Sequence, residues 1–399
     1  MRIALCTNYI TPYRLPVFRA LADRAGNELT IYTTSARGHD RDWDRFDQDG
    51  SIRVVQSRNI SFLARQRIGI NASSQSGFTE SAKRDIPLGL FNDLLRDRPD
   101  VIITGELGMR TLIAKFAGLV LRVPVIPWAY PSASKLKMSP VRSMYRTIML
   151  RSSRSIIGMG TTARAALRDQ GARDRCIFDA PNSADIHAIR QQLSRAEFRT
   201  EVEHLRTRLS CRKKIALVVG RLVEMKAPLR IIEAWKRIPD DIRKEWTLVF
   251  VGDGPLAGEL RETATPDVRI IGSVRPEEVS TFFAASDLHI FASLGDPWGL
   301  VVNEAMHHAI PTLCSIHAGC CEDLVIEDQT GFRFDPTNHI QQVASQIAQV
   351  LMRDDLERVG NRARIRASMY TPSYMASGMQ DAIDHAIARV PNPSRKGIA

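Results

Sequence analysis

A chain of 399 residues can build two domains of ordinary size, and 44% hydrophobic with 25% charged residues is a globular composition, which excludes a disordered or fibrous protein. A net charge of +11 favours polyanions, anionic lipid surfaces or phosphorylated substrates without choosing among them. The six cysteines (Cys6, Cys176, Cys211, Cys314, Cys320, Cys321) contain no C-x-x-C pair, which argues against a zinc framework and for free thiols in a reducing cytosol.

In chain order, short β-rich runs are expected at 3–7, 29–33, 52–56, 101–104, 123–127, 155–158 and 176–179. A second series is expected at 215–219, 248–251, 268–271, 288–292 and 311–314. Most are continuous apolar runs, the pattern of parallel strands covered on both faces. Helical stretches lie between them, among them 87–96, 109–121 and 228–237, and this alternation predicts doubly wound α/β sheets. The rhythm breaks at 184–212, which is polar, charged and without a strand. It reads as a helical connector, 186–212, between a domain at 1–185 and a second at 213–369. From about 336 the pattern is helical, and the tail 391–399 is expected to be flexible. The longest apolar stretch, 111–128, is broken by Lys115 and Arg122 and falls short of the roughly 20 residues that cross a bilayer. No cleavage site follows the first strand, so the protein is expected in the cytoplasm, where it is made.

The second series carries the chemistry. After strand 215–219 come Gly220-Arg221-Leu222 and then Lys226 at a helix start. A departing diphosphate gathers negative charge, which a planar guanidinium and a point ammonium both offset. Gly252-Asp253-Gly254-Pro255 and Gly272-Ser273-Val274 follow the next two strands. Then comes Gly295-Asp296-Pro297-Trp298-Gly299-Leu300-Val301-Val302-Asn303-Glu304-Ala305-Met306, with its two acids eight residues apart. One acid ends a loop, small and apolar residues open a helix, and the second acid lies on that helix. The helix start offers N–H groups and a positive dipole end to a phosphate, and the carboxylates accept from sugar hydroxyls. Together these describe a nucleotide-sugar site.

This stretch resembles the E-x7-E motif of the retaining glycosyltransferases of family 4, whose usual form is Glu-x-Phe-Gly-Leu followed by Glu-Ala-Met. Here the form is Asp296-Pro297-Trp298-Gly299-Leu300, then Glu304-Ala305-Met306, with a first acid one methylene shorter. Gly220-Arg221-Leu222 with Lys226 resembles the family's Gly-Arg-Leu … Lys-Gly motif, with Ala227 in place of the last glycine. The resemblance implies the GT-B fold: two Rossmann-like doubly wound domains facing across a cleft, with a C-terminal helix (370–390) returning to the first. It implies that Arg221, Lys226 and the Gly299, Leu300 and Val301 amides bind the donor diphosphate, with Gly220 in the same loop. Glu304 would hold the ribose, Asp296 the sugar, and Val274 would meet the nucleobase. The donor is expected to be a UDP- or GDP-hexose, and no cofactor or metal is expected. The acceptor is expected to be a glycan or lipid-linked hydroxyl in bacterial surface polysaccharide or glycolipid synthesis.

The first domain, which the resemblance implies binds the acceptor while the second binds the nucleotide sugar, is less specific. Thr11-Pro12-Tyr13-Arg14 follows the first strand and resembles a Pro-Tyr-Arg signature of a bacterial subgroup of the family. Arg14 would touch the diphosphate or an acceptor phosphate, and Tyr13 and Arg14 equally suit packing of the first helix. Glu106 follows strand 101–104 and is similarly placed. The exit of the next strand reads Pro127-Trp128-Ala129-Tyr130-Pro131, without the histidine that many family members carry, so no general base is assigned. Trp128 suits either sugar stacking or the core. Asn182 and Asp185 match the family's Asn-x-x-Asp and read as structural or hinge residues. Asp42-Trp43-Asp44 has the spelling of a metal-binding D-x-D but lies in a polar loop, and reads as coincidence.

From 135 to 154 six cations occur with no acid, around Val141, Met144, Tyr145, Ile148 and Met149. With 60–68, read as a loop of similar mix, this suggests contact with an anionic membrane surface on the inner face of the cytoplasmic membrane. Two other readings stand beside the transferase. A non-hydrolysing nucleotide-sugar epimerase of the same fold would need further acid/base residues. A non-catalytic polyanion or nucleic-acid binder would need a basic stripe with interleaved aromatics. Aromatics are 7% of the chain and no such motif occurs, so nucleic acid is not expected.

Overall fold

The structure, a computed structural model, describes residues 1–24, 26–35, 52–69, 77–131, 140–209 and 213–388. Asp42 and Asp44, Lys135 and Lys137, Cys211 and the tail 391–399 lie outside them. The described chain divides into two compact units. The first holds the residues up to Ser183 together with the C-terminal helix from Pro372, and the second holds Ala184–Thr371.

The first unit is built on a seven-stranded parallel sheet with order β3-β2-β1-β6-β7-β8-β9. Its strands are β1 (Arg2–Thr7), β2 (Glu28–Thr33), β3 (Ile52–Gln56), β6 (Val101–Gly105), β7 (Val125–Ala129), β8 (Ile156–Gly158) and β9 (Ile177–Asp179). Strands β4 (Ile60–Gly69) and β5 (Gly77–Ile86) form a separate antiparallel pair. The helices are α1 (Leu15–Ala22), α2 (Leu90–Asp97), α3 (Met109–Leu121), α4 (Pro140–Arg151) and α5 (Gly160–Asp169). One face of the sheet buries Ala4, Cys6, Tyr32 and Ile102 against Leu90 and Leu94 of α2 and Ala114 and Ala117 of α3. Covering on both faces explains why β1 and β6 read as unbroken apolar runs.

The second unit is a six-stranded parallel sheet with order β12-β11-β10-β13-β14-β15. Its strands are β10 (Lys214–Val219), β11 (Trp246–Val251), β12 (Val268–Gly272), β13 (Leu288–Phe291), β14 (Thr312–Ser315) and β15 (Phe332–Phe334). Its helices are α6 (Ile186–Leu193), α7 (Phe198–Arg208), α8 (Pro228–Trp235), α9 (Asp240–Arg243), α10 (Ala257–Thr263), α11 (Pro276–Ala284), α12 (Leu300–His307), α13 (Cys321–Leu324), α14 (Ile340–Leu351) and α15 (Leu356–Ala367). Ile215 and Leu217 of β10 and Val249 and Val251 of β11 share one core with Phe282 and Phe283 of α11 and Ala305 of α12. The last helix, α16 (Pro372–Ala388), packs on α1, β8 and β9 of the first unit and buries Met375, Met379 and Ile383 there. A Cβ at Gly378 would lie 1.9 Å from the Asp179 carbonyl oxygen, so this approach of α16 to β9 requires glycine.

Several local readings differ from the structure. The charged segment expected as a connector forms α6 and α7, which pack on α11 and α12 as part of the second unit. Leu205 and Leu209 enter its core with Val202 packed against it, and Phe198 is buried as well, so a few apolar anchors dock an otherwise polar segment. Residues 60–68, read as a loop, form strand β4. The strand expected at 123–127 starts two residues later, because Arg122 takes a left-handed conformation (φ 58°) and the Val123 N–H closes α3 on the Gly118 carbonyl at 2.9 Å. The edge strand β15 was missed because three residues carry no periodic signal.

Candidate active site

In an open parallel sheet, ligands sit beyond the carboxyl ends of the strands, where the strand order reverses. In the second unit the reversal falls between β10 and β13. The two strand exits are tied together: the Met225 carbonyl accepts from the Leu294 N–H at 2.8 Å and from the Ser293 hydroxyl at 3.3 Å. The chain after β10 passes Gly220 and Arg221, makes one turn at Glu224–Lys226, and enters α8 through Ala227. Ala227 holds φ 51°, a left-handed conformation, which is the physical reason glycine suits this position. The turn after β11 lies directly against this loop. A Cβ at Gly252 would lie 2.0 Å from the Gly220 carbonyl oxygen, and one at Gly254 2.5 Å from that of Leu222. The Gly-x-Gly-Pro turn is thus a requirement of backbone approach.

Lys226 meets Asp296 in an ion pair and lies 4.9 Å from the Phe291 ring centroid. The other Asp296 oxygen accepts the Trp298 N–H at 3.0 Å, and the Gly299 N–H also points to this carboxylate. Burial pushes the Asp296 carboxyl up, but the Lys226 charge and these hydrogen bonds outweigh it and hold it below the usual range. The Trp298 indole is buried and donates to Asn303 Oδ1 at 2.8 Å, which pins loop 295–299 to α12. On α12, Val302, Asn303, Ala305 and Met306 are buried, whereas Leu300, Val301 and Glu304 are half-buried. A spacing of four residues puts Leu300 and Glu304 on one side of α12, at its first turn. Val274, after β12, and Val301 pack on the same core. The structure therefore brings Lys226 and Asp296 together at one reversal, with Gly220 and Arg221 in the loop leading to Lys226 and Gly299, Leu300, Val301 and Glu304 in the helix start after Asp296, whereas Val274 follows β12, two strands away. The Gly299 amide serves Asp296.

In the first unit the reversal falls between β1 and β6. Glu106, just past β6, adopts φ 68°, rare for a side chain of its size. Its Oε1 accepts from Asn8 Nδ2 at 3.3 Å and from the Tyr130 hydroxyl at 3.5 Å. Arg110 donates to the Gly105 carbonyl at 3.1 Å and to Asn8 Oδ1. The Arg14 guanidinium lies 4.6 Å from the Trp128 ring centroid, 5.3 Å from that of Tyr130 and 5.9 Å from that of Tyr13. Trp128 is fully buried, with Arg14 over its face and Phe18 at its edge, so this indole supports Arg14 and offers no surface for a sugar to stack on. Burial, together with Glu106, pushes the Tyr130 hydroxyl up to about 12. Asn8, Arg110 and Tyr130 were missed as site residues. They come from three separate segments, and only the sheet brings them together.

Asp185 caps α6, accepting the Ala188 N–H at 3.1 Å. Among the described residues no group of three His, Cys, Asp or Glu side chains is placed to hold a metal, and no helix is long and apolar enough to cross a membrane.

Paired α/β units with parallel sheets and a closing C-terminal helix define a GT-B protein. The Anabaena protein HepE, solved in complex with UDP, superimposes with a TM-score of 0.71 at 16% identity, over 96% of this chain and 100% of that one. Residues 201–366 match the family described as Glycosyl transferases group 1. The sulfoquinovosyl transferase SQD2 of Arabidopsis thaliana is 25% identical over 305 residues, covering 70% of this chain and 56% of that protein. A GDP-mannose-dependent alpha-mannosyltransferase of Corynebacterium glutamicum is 28% identical over 268 residues, covering 63% and 59%. The chain thus spans less than two thirds of the length of these relatives.

Proposed function

We propose that this chain is a retaining glycosyltransferase that moves a hexosyl unit from a nucleotide-diphosphate sugar to a hydroxyl of a glycan or lipid-linked acceptor, in bacterial surface polysaccharide or glycolipid assembly. The observation that carries this reading is the β10/β13 reversal, where Lys226, Asp296 and the first turn of α12 with Glu304 converge. The Leu300 and Val301 amides and the Lys226 ammonium bind the diphosphate, with Arg221 beside them. Lys226 stabilises the charge that develops as the diphosphate leaves. Asp296 orients Lys226 and, having four lone-pair directions, still accepts from a sugar hydroxyl. Glu304 accepts from the ribose, and backbone groups near Val274 meet the base. No side chain is assigned as general base: the leaving phosphate takes the acceptor proton on the face where the new bond forms, which gives retention without metal or cofactor.

The acceptor is approached from a membrane surface. Val141, Met144 and Ile148 of α4 are exposed, and so are Met109, Leu112, Phe116, Leu119 and Val120 of α3. Arg142, Arg151, Lys115 and Arg122 accompany them, and neither helix carries an acid. Apolar side chains framed by cations suit the inner, anionic face of a cytoplasmic membrane.

The test is a thermal-shift panel of UDP, GDP, ADP, dTDP and their hexose conjugates on the wild type and Glu304→Ala. A ligand bound only by the folded state raises the melting temperature by mass action. Stabilisation by one nucleotide family, lost in Glu304→Ala, is expected. A folded protein that responds to none of them would sink the assignment.

A further inference from the structure

Among the described residues, the β1/β6 reversal of the first unit gathers three arginines near one glutamate. Arg110 is buried, and Arg14 and Arg146 are half-buried. The Nε atoms of all three are shielded from solvent and have no hydrogen-bond partner among the described residues. Glu106 is the acid that acts on Arg14 and Arg146 together. Among the described residues this is one carboxylate near three guanidinium groups, with the Tyr130 hydroxyl also bonded to Arg14. A buried cation without a counter-charge is costly, so such a cluster suits an incoming anion. Burial and the neighbouring Arg142 push the Arg146 guanidinium down, as expected of a cation lacking its partner. The left-handed Glu106 adds local strain of the kind that gathers at ligand sites. Guanidinium forks match phosphate oxygens in pairs.

This cluster is continuous with the exposed apolar face. Helix α3 starts directly after Glu106, and the Tyr145 hydroxyl of α4 donates to the Gly108 carbonyl at 3.0 Å. Further along, Lys115 of α3 donates to Ser152 and Ser153, just past α4, at 2.9 Å each. These bonds place Tyr145 of α4 at the start of α3 and Lys115 of α3 at the end of α4. Arg146 lies one helical turn from Arg142 and two residues from the exposed Ile148.

We propose that Arg14, Arg110 and Arg146 form an oxyanion site for the phosphate of a lipid-borne acceptor, whose apolar chain lies along the exposed face of α3 and α4. This rests on the reading of the first unit as the acceptor's. The phosphate anchors the acceptor, and a hydroxyl beside it is the one glycosylated. The three arginines are binding and positioning residues.

Calorimetric titration of dodecyl phosphate below its micellar concentration, and of inorganic phosphate, tests this on the full chain, with and without saturating UDP. Saturable dodecyl phosphate binding is expected, at least tenfold tighter than inorganic phosphate and unaffected by UDP. Arg146→Gln should weaken both ligands at least tenfold and leave UDP affinity within twofold of wild type. Leu119→Ser, at an exposed position, should reduce the preference for dodecyl phosphate and leave inorganic phosphate alone. Arg14→Lys, which keeps the charge and loses the fork, should weaken both ligands. Equal affinity for the two ligands would assign the site to free phosphate and overturn the lipid-borne acceptor. Phosphate binding displaced by UDP and lost in Lys226→Ala would place the anion in the donor site and overturn the proposal. Binding to phosphatidylglycerol vesicles with no saturable dodecyl phosphate binding would reduce the patch to surface charge and also overturn it. Because UDP binding is read separately, a failed donor assignment and a failed anion site give different results.

Discussion

At the β10/β13 reversal one lysine and one aspartate neutralise each other, and the aspartate also braces the start of α12. At the β1/β6 reversal the rings of Trp128 and Tyr130 support Arg14, Asn8 joins Arg110 to Glu106, and Glu106 also acts on Arg146. In the proposed reaction the first arrangement would offer a diphosphate a fixed ammonium and fixed amides, so that little would reorganise. Among its described residues the second has one carboxylate near three arginines, and in the proposal above an incoming anion completes it. In these proposals one layout, a parallel sheet read at its switch point, serves a preformed site in one unit and an anion-completed one in the other.

Changes that exploit this contrast should differ in kind as well as size. Trp128→Ala removes a fully buried indole and the platform under Arg14. It should cost about 4 kcal/mol of stability in denaturant unfolding while the remaining folded protein binds nucleotide normally. A loss of nucleotide affinity with little loss of stability would mean that this tryptophan belongs to the donor site. Lys226→Ala should show the reverse, a fall of about 10²–10³ in kcat/KM for the sugar donor with a modest change in melting. Unchanged kcat/KM would remove Lys226 from the reaction.

The elements of the proposed donor site were legible in the sequence because each is local. Gly220 to Lys226, Gly252 to Pro255 and Asp296 to Glu304 each lie in one strand-to-helix turn, so spacing alone specifies the geometry. Trp298 shows the limit of such reading: its indole bond to Asn303 makes it a structural pin, which the pattern of letters does not reveal. On the other side, Asn8, Arg110, Tyr130 and Arg146 come from four segments that no local pattern connects. Tyr13, Arg14, Glu106 and Trp128 were found by their places after strands, but the burial of Trp128 depends on Phe18 and Arg14 packing around it. The exposed face of α3 was hidden for a similar reason. An apolar helix reads as core until the fold shows which side is covered.

Acid should separate the two units. Burial pushes His289 down to about 3, and burial with His308 pushes His307 down to about 4, both in the second unit. Folded values below the ordinary 6.5 mean that the unfolded chain binds more protons. Their contribution is therefore fully present above pH 6.5 and is lost as the pH falls toward 4 and 3. The loss is at most about 1.4 kcal/mol per pH unit for each group. Unfolding midpoints measured between pH 7 and pH 4.5 should fall with acid, and His289→Gln should flatten the slope. An equal slope in that variant would exclude His289 as a source.

The smallest expected effect is Ala227→Gly, which relieves the left-handed strain at the start of α8. After the entropy that glycine adds to the unfolded chain, a gain of about 0.5 kcal/mol should remain, with donor kinetics unchanged. A destabilised variant would mean that the conformation of Ala227 carries no cost.

The central claim is that the donor site belongs to the β10/β13 reversal and the first unit plays no part in holding the nucleotide. Calorimetric titration of the nucleoside diphosphate selected by the thermal-shift panel, into Lys226→Ala and Arg14→Gln side by side, tests it most directly. The account predicts affinity at least tenfold weaker in Lys226→Ala and within twofold of wild type in Arg14→Gln. The opposite pattern, intact binding without Lys226 and lost binding without Arg14, would contradict it.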